Sequence, residues 1–340
     1  MRTLVDIQKK LLPDLLSVMQ KRYHILRYIQ FMQPVGRRSL SLSLNLTERV
    51  IRSEVEFLKQ QNLIEIHTTG MKLSEEGSVV LESLDSIMRE VTGIDTLERQ
   101  LRQKLKVKEV IIVSGNSDES PWVKNELGKA CAIRMKSDLS GKHIIAVTGG
   151  STIAAVADML SFKPDGKELL FVPARGGLGE TVQNQANTIV ATMAEKLNAQ
   201  YKLLYVPDQV SNESYQSFIN EPSIREVLSL IKSSDIVLHG IGEAFAMAKR
   251  RNSPDEIMKK LMEGNAVGEA FGYYFDENGE IVHKVQTVGI QMEDLQNVEH
   301  IYAVAGGSSK AKAISSYMKS APSNTVLITD EAAANEILKG

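Results

Sequence analysis

The chain has 340 residues, enough for two or three domains and one core of good size. Its net charge of -2 and its single cysteine, Cys131, exclude a generally basic polyanion binder, an intrachain disulfide and a cysteine zinc cluster. The six histidines form no HExxH-type pair, no apolar run reaches membrane length, and no apolar core follows the charged N-terminus as in a signal peptide. A cytoplasmic protein with no membrane partner and no bound metal is expected.

The average charge hides an asymmetry. Residues 21–60 carry eight lysines or arginines against three acids. Apolar residues from Leu4 to Ile29 recur at helical steps and predict a helix over 4–32, with Pro13 dividing it or starting a second one. Pro34 and Gly36 end that helix. A short helix fits Arg37 to Leu44, Asn45-Leu46 makes a turn, and Thr47 is placed to cap a helix running to about Gln60. This last helix buries Val50, Ile51, Val55 and Leu58 and leaves Arg49 and Arg52 for another face. Two short helices around a tight turn, the second capped and arginine-bearing, make a helix-turn-helix. Arginine there forks onto guanine or pairs with phosphate. Asn62–Ile66 and Met71–Leu73, around a Thr-Thr-Gly turn, form a hairpin wing. A helical protein–protein module with solvated arginines is the competing reading of the same pattern. Residues 74–106 continue as helix, with a break at Gly93 and an apolar stripe of Leu84, Ile87, Val91, Ile94, Leu101 and Leu105. That stripe fits a packing face or a short dimer seam. The division expected is residues 1–92 for the winged helix-turn-helix with its linker helix, and 93–340 for an effector domain.

Beyond residue 107 the pattern becomes α/β. Strands are predicted at 109–113, 143–148, 169–173, 202–206, 235–239, 301–305 and 325–328. Helices are predicted at 122–137, 152–160, 182–198, 222–233, 243–250, 310–319 and 331–338. Cys131 falls in the first of these beside Ala130, Ala132 and Ile133, and reads as a buried small hydrophobe. Apolar strands alternating with helices imply a mainly parallel sheet covered on both faces. Residues 271–290 differ and predict an inserted hairpin. Four strand ends carry ligand-like chemistry: Gly149-Gly150-Ser151-Thr152, Ala174-Arg175-Gly176-Gly177, Gly240-Ile241-Gly242-Glu243, and Gly306-Gly307-Ser308-Ser309-Lys310. Glycines permit close backbone approach, and helix starts favour phosphate. With Arg175, Lys310 and Arg250 nearby, a ligand with two phosphates matches better than one with a single carboxylate. No GxGxxG opens the first βαβ unit and GxxxxGK[ST] is absent, so neither a dinucleotide fold nor a P-loop ATPase is indicated.

The chain resembles the SorC/DeoR-type sugar-responsive regulators of bacteria, and among them repressors of central glycolytic genes. The likeness spans essentially the whole sequence. It is carried by Lys10-Leu11-Leu12-Pro13-Asp14-Leu15-Leu16, Val147–Gly150, the run Phe171-Val172-Pro173-Ala174-Arg175-Gly176-Gly177-Leu178-Gly179, Gln183–Thr188 and Ala305–Lys310. The resemblance implies an N-terminal winged helix-turn-helix and an effector domain similar to the glucosamine-6-phosphate deaminase and ribose-5-phosphate isomerase fold. It implies double-stranded operator DNA and a phosphorylated sugar, fructose-1,6-bisphosphate, as partners, and homodimers that associate in pairs on DNA. Carried over by position, Gly149, Gly150, Ser151, Thr152, Ser308, Ser309 and Lys310 form one phosphate cradle. Arg175, Gln185 and Arg250 hold the other end, and Glu269 meets a sugar hydroxyl. Arg37, Arg38, Thr47, Arg49 and Arg52 are the expected DNA-facing residues. Ser151 replaces a threonine of the pattern and keeps the hydroxyl. An enzyme reading rests on Glu243, Glu269 and Asp235, but the Asp-Gly-His of the deaminases is replaced by Gly242-Glu243-Ala244-Phe245. His239 precedes that turn and reads as packed at the strand end. No catalytic residue is therefore assigned, and a ligand-free dimerising scaffold would leave Arg175 and Lys310 without a role.

Overall fold

The computed structural model describes residues 10–162, 166–177 and 181–340. Residues 4–9 of the first expected helix, and Leu178 and Gly179 of the 171–179 run, lie outside them. The chain divides into two compact units, Met1–Thr96 and Leu97–Gly340.

In the first unit, helix α1 (Pro13–Met32) begins on the proline, whose missing N–H is no loss in a first turn. It buries Ile25, Leu26 and Ile29, while Tyr28 Oη lies 3.1 Å from Ser39 Oγ and 2.8 Å from Ser43 Oγ of α2 (Arg37–Ser43). Asn45 takes positive φ in the turn, and Thr47 Oγ1 accepts from Val50 N at 3.3 Å to cap α3 (Glu48–Gln60). Helix α3 buries Ile51, Val55 and Leu58, with Val50 half-buried. It also buries Glu54, which pairs with Lys21 at 2.5 Å and Arg22 at 2.8 Å. The antiparallel hairpin β1 (Ile64–His67) and β2 (Gly70–Leu73) is extended by a bridge from Val35 to Met71, completing a wing. Ser74 caps α4 (Glu75–Thr92), and Gly93, at φ +79°, separates it from α5 (Ile94–Leu105). The apolar stripe needs correction. Leu81, Met88 and Val91 are buried and Ile87 is 46% exposed. At 100° per residue the inward face of α4 runs through 81, 84, 88 and 91, and Ile87 falls outside it.

The second unit is built on a seven-stranded, wholly parallel sheet ordered β3-β13-β12-β7-β4-β5-β6. Its strands are β3 (Glu109–Val113), β4 (Lys142–Val147), β5 (Glu168–Pro173), β6 (Gln200–Tyr201), β7 (Ile236–Gly240), β12 (His300–Val304) and β13 (Thr325–Asp330). The central strands are buried nearly throughout, as a sheet with both faces covered requires. Helix α6 (Val123–Asp138) carries the fully buried Cys131 and packs on α7 (Ser151–Met159). Helix α8 spans Ala186–Leu197, preceded by a 3-10 turn at Val182–Asn184, so the expected helix 182–198 starts later.

The strand expected at 202–206 is displaced. Strand register with β5 is confined to Gln200 and Tyr201, and the last bond to β5 runs from Lys202 N to Phe171 O at 3.0 Å. Beyond them the side chain of Asn187 holds Leu204 by both its N–H and its carbonyl, each at 3.1 Å, which draws the chain off the sheet edge. Helices α9 (Asn212–Asn220) and α10 (Pro222–Lys232) follow. The expected hairpin belongs to a separate four-stranded antiparallel sheet. It contains β8 (Gly242–Glu243), β9 (Gly268–Ala270), β10 (Tyr273–Phe275) and β11 (Ile281–Lys284). Helices α11 (Ala244–Arg250) and α12 (Asp255–Glu263) lie between β8 and β9 in sequence. Helices α13 (Ala311–Ser320) and α14 (Glu331–Lys339) end the chain.

Candidate functional site

From β4 the sheet proceeds through β5 and β6 in one direction, and from β7 through β12 and β13 in the other. The carboxyl ends of β4 and β7 thus flank a topological switch point, where α/β sheets open a crevice. A cavity of about 300 Å³ lies there. Of the residues singled out by sequence, Gly149, Gly150, Ser151, Thr152, Arg175, Gln185, Arg250, Glu269, Ser309 and Lys310 line it, and Ser308 does not.

The first wall is the junction from β4 into α7. Gly149 sits so close to Asn184 that a Cβ would come within 2.7 Å of its carbonyl oxygen, and the Gly150 N–H donates to that oxygen at 2.8 Å. Gly150 adopts φ +123°, which turns the chain sharply into the helix. No side chain caps α7, so its first amides and the positive end of its dipole face the cavity beside Ser151 and Thr152.

The junction after β12 is different. Its amides are already occupied. Gly307 N donates to Asp330 Oδ2 at 2.6 Å, and Ser309 N to Asp118 Oδ2 at 2.8 Å. Ser308 and Ser309 hydroxyls donate to the same Asp118 carboxylate. Ser308 is thereby held outside the cavity, and this wall contributes chiefly the Lys310 ammonium. Burial holds Lys310 below the usual lysine range, and Lys124 and Arg250 push it further the same way, against Asp118 and Asp330. Arg250 lines the cavity within electrostatic reach of Lys310, and the adjacent Arg251 is the one that shares Asp208 and Glu269 with Arg175.

At that other end two arginines and two carboxylates interlock. Arg175 Nη2 lies 2.6 Å from Asp208 Oδ1, and Arg175 Nη1 lies 3.5 Å from Glu269 Oε1. Arg251 donates to Asp208 at 3.1 Å, to Glu269 at 2.9 Å and to the Tyr274 hydroxyl at 2.9 Å. Glu269 also accepts from Gly272 N at 2.6 Å. All four charged groups are buried. Burial alone would raise the Glu269 carboxyl; Arg251, Arg175 and the Gly272 amide overcome it and hold the group below the usual range. Burial would lower Arg251, but Glu269 and Asp208 raise it. The Arg175–Asp208 contact is off the axis of a hydrogen bond. Arg175 Nε and Nη2 thus have no hydrogen-bond partner among the described residues.

The carboxylates considered for catalysis have other tasks. Glu243 lines the cavity, but both its oxygens accept from the amides of Phe245 and Ala246 at the start of α11. Asp235 lies at the amino end of β7, away from the cavity, and accepts from Ile144 N. His239 is wholly buried, lies 3.1 Å from the Tyr317 hydroxyl, and is pushed by burial down to about 4. Sequence reasoning missed Asp208, Lys124 and Asp118. In the first unit, Arg37, Arg38, Thr47, Arg49 and Arg52 are all exposed, and Arg49 and Arg52 project from the first turns of α3. No described helix is long and apolar enough to cross a membrane.

Residues 18–88 match the family model described as the CggR N-terminal DNA binding domain, and residues 89–339 match the putative sugar-binding domain. The central glycolytic genes regulator of Priestia megaterium is 58% identical over 342 residues, covering 100% of this chain and 99% of the relative. A crystal structure of a putative SorC family transcriptional regulator from Enterococcus faecalis is 47% identical, with a TM-score of 0.68, covering 72% of this chain and 99% of that one. The full-length sorbitol operon regulator SorC from Klebsiella pneumoniae, at 18% identity, shares the fold over 95% of this chain and 99% of its own, with a TM-score of 0.64. With both domains matched in chain order and a relative this similar along the whole length, the chain belongs to the SorC/DeoR family of transcriptional regulators.

Proposed function

We propose that this protein is a cytoplasmic repressor of central glycolytic genes that binds double-stranded operator DNA and is relieved by fructose-1,6-bisphosphate. The observation that carries the ligand reading is a single cavity with cationic groups in two places. Lys310 and Arg250 stand near each other, and Arg175 and Arg251 form the second group. One phosphate sits at the start of α7 with Gly149, Gly150, Ser151, Thr152, Ser309 and Lys310. Its neighbours are amide donors, hydroxyls and a positive dipole. The other is forked by Arg175 with help from Gln185, and Glu269 accepts from a sugar hydroxyl. The fold likeness to the deaminase and isomerase proteins belongs to the same reading, because those proteins also hold phosphosugars. The DNA reading rests on α3, with Arg49 and Arg52 aimed outward beside the wing, and Arg37 and Arg38 available to phosphates.

Homodimers present two heads to a two-fold operator, and paired dimers fit a longer one. For ligand to relieve repression it must favour one quaternary arrangement over another, since equal affinity for both shifts nothing. A panel of phosphosugars is titrated against the purified chain while its melting temperature is followed, because a ligand of the folded state raises it. Fructose-1,6-bisphosphate is expected to give the largest rise, and sedimentation of the DNA complex is expected to show weaker dimer–dimer cooperativity in its presence. A monophosphate that equals it in both measurements defeats the reading.

A further inference from the structure

The two cationic groups of the cavity are not electrically equivalent. Burial lowers the proton affinity of Lys310, and the like charges of Lys124 and Arg250 lower it further against Asp118 and Asp330. At the other end the two guanidinium groups of Arg175 and Arg251 meet the two carboxylates of Asp208 and Glu269. That cluster sums to zero before any ligand arrives. Glu269 lines the cavity, whereas Asp208 does not; it is 2% exposed and stands behind the arginines. It is fixed there by its own backbone, which donates to Gly177 O at 2.9 Å. Both arginines lean on it, Arg175 through Nη2 at 2.6 Å and Arg251 through Nε at 3.1 Å. Yet the Arg175 contact lacks hydrogen-bond geometry, and its Nε is a buried donor without an acceptor among the described residues. Arg175 is thus charge-matched from behind and under-bonded, with its guanidinium at the wall of the cavity.

We propose that Asp208 is a specificity-determining residue: an internal counter-ion that competes with a ligand's second phosphate for Arg175 and Arg251, and so limits the preference for a bisphosphate over a monophosphate. The inference rests on the phosphosugar reading above. Its physical basis is linkage. A negative charge behind the arginines stabilises the empty cavity, where two like charges would otherwise be buried together. The same charge repels an incoming phosphate and divides the arginines' attention with it. Removing it makes the empty state worse and the occupied state better. A monophosphate seated at the Lys310 end, with only hydroxyls reaching Arg175, gains little from the change. The opposite role, in which Asp208 only aims Arg175 at the ligand, predicts the opposite sign.

The test measures fructose-1,6-bisphosphate and fructose-6-phosphate by calorimetric titration against the full-length wild type, Asp208→Asn and Asp208→Ser, with melting temperatures for each. The wild type comes first. If it binds neither sugar, the phosphosugar reading fails and this inference falls with it. With wild-type binding established, the neutral variants are expected to melt lower without ligand and to bind the bisphosphate tighter by about tenfold or more. Their monophosphate affinity is expected to stay within about threefold of wild type, which also shows that the cavity is intact. The gain should shrink when Arg175→Gln is combined with Asp208→Asn. Bisphosphate affinity that is unchanged or weaker, with monophosphate binding retained, overturns the proposal and makes Asp208 an aiming residue. Equal tightening of both sugars overturns it as well, since the effect would not belong to the Arg175 end.

Discussion

Lys310→Met separates ligand binding from fold stability, because the two should move in opposite directions. In the free protein Lys310 is held below its ordinary range, first by burial and then by the like charges of Lys124 and Arg250. The folded chain therefore takes up that proton less readily than the unfolded chain, whose lysine titrates near about 10.4. Wherever the group is charged in both states it penalises folding, and the penalty fades as pH rises through the folded value toward the unfolded one. Methionine keeps most of the length and removes the charge, so the free variant should melt higher than wild type at neutral pH. It should also lose the part of the stability gain that wild type shows on approach to the lysine range. Ligand binding should suffer. A charge-assisted hydrogen bond contributes roughly 1.5–3 kcal/mol, and at 1.4 kcal/mol per decade that is about 10- to 150-fold in affinity for any sugar whose phosphate reaches this wall. Calorimetric titration at neutral pH with fructose-6-phosphate and fructose-1,6-bisphosphate reads the second effect, and scanning calorimetry of the free protein reads the first. A variant that binds both sugars as well as wild type refutes the assignment of Lys310 to a phosphate. A variant that melts lower refutes the electrostatic account of its environment.

Replacing Arg49 and Arg52 together by alanine is expected to abolish operator binding in an anisotropy titration while phosphosugar affinity stays as in wild type, each lost base contact costing about 1–3 kcal/mol in discrimination; unchanged operator affinity rules α3 out as the reading helix. Thr47→Ala removes the acceptor for Val50 N and should destabilise the DNA-binding unit by about 1 kcal/mol, seen as a lower denaturant midpoint for that unit's transition. Glu54 is held below the usual carboxylate range because Lys21 and Arg22 outweigh its burial. Its contribution is therefore present above the unfolded glutamate value of about 4.3 and lost as pH falls through the lower folded value. Glu54→Gln should lower stability at neutral pH and flatten the acid limb of a stability–pH curve, and a variant whose acid limb matches wild type removes Glu54 from that account.

What was legible in the sequence, and what was not, follows from how far apart the cooperating residues lie. Thr47, Gly93 and the turn from Gly149 to Thr152 act on their own neighbours, through caps and positive φ, so a local pattern announces them. The parallel sheet was legible for the same reason, as continuous apolar strands alternating with helices. Strand 202–206 was not, because its fate is decided by Asn187, which seizes Leu204 from α8. Helices α9 and α12, each of 9 residues, are too short for periodicity to stand out. Ser308 looked like a cradle because a glycine turn before a helix offers free amides. Those amides are taken instead by Asp330, Asn116 and Asp118, and Asp118 lies 190 residues before Ser308 in the chain. The choice between Arg250 and Arg251 could not be made from adjacency, since successive helical residues point about 100° apart and only the packed structure says which one joins the Arg175 cluster.

Asp208 marks the limit most clearly. Nothing in Val206-Pro207-Asp208-Gln209 sets it apart from any exposed turn. Its importance arises only when the fold buries Arg175 and Arg251 side by side, because two buried cations demand anions within reach. A counter-ion requirement is created by burial, and burial is a property of the assembled sheet, so the residue that answers it can lie anywhere the chain returns to that spot. The glycine and hydroxyl motifs therefore locate the cavity, while its charge balance, and with it the discrimination between one phosphate and two, is set by residues that carry no motif.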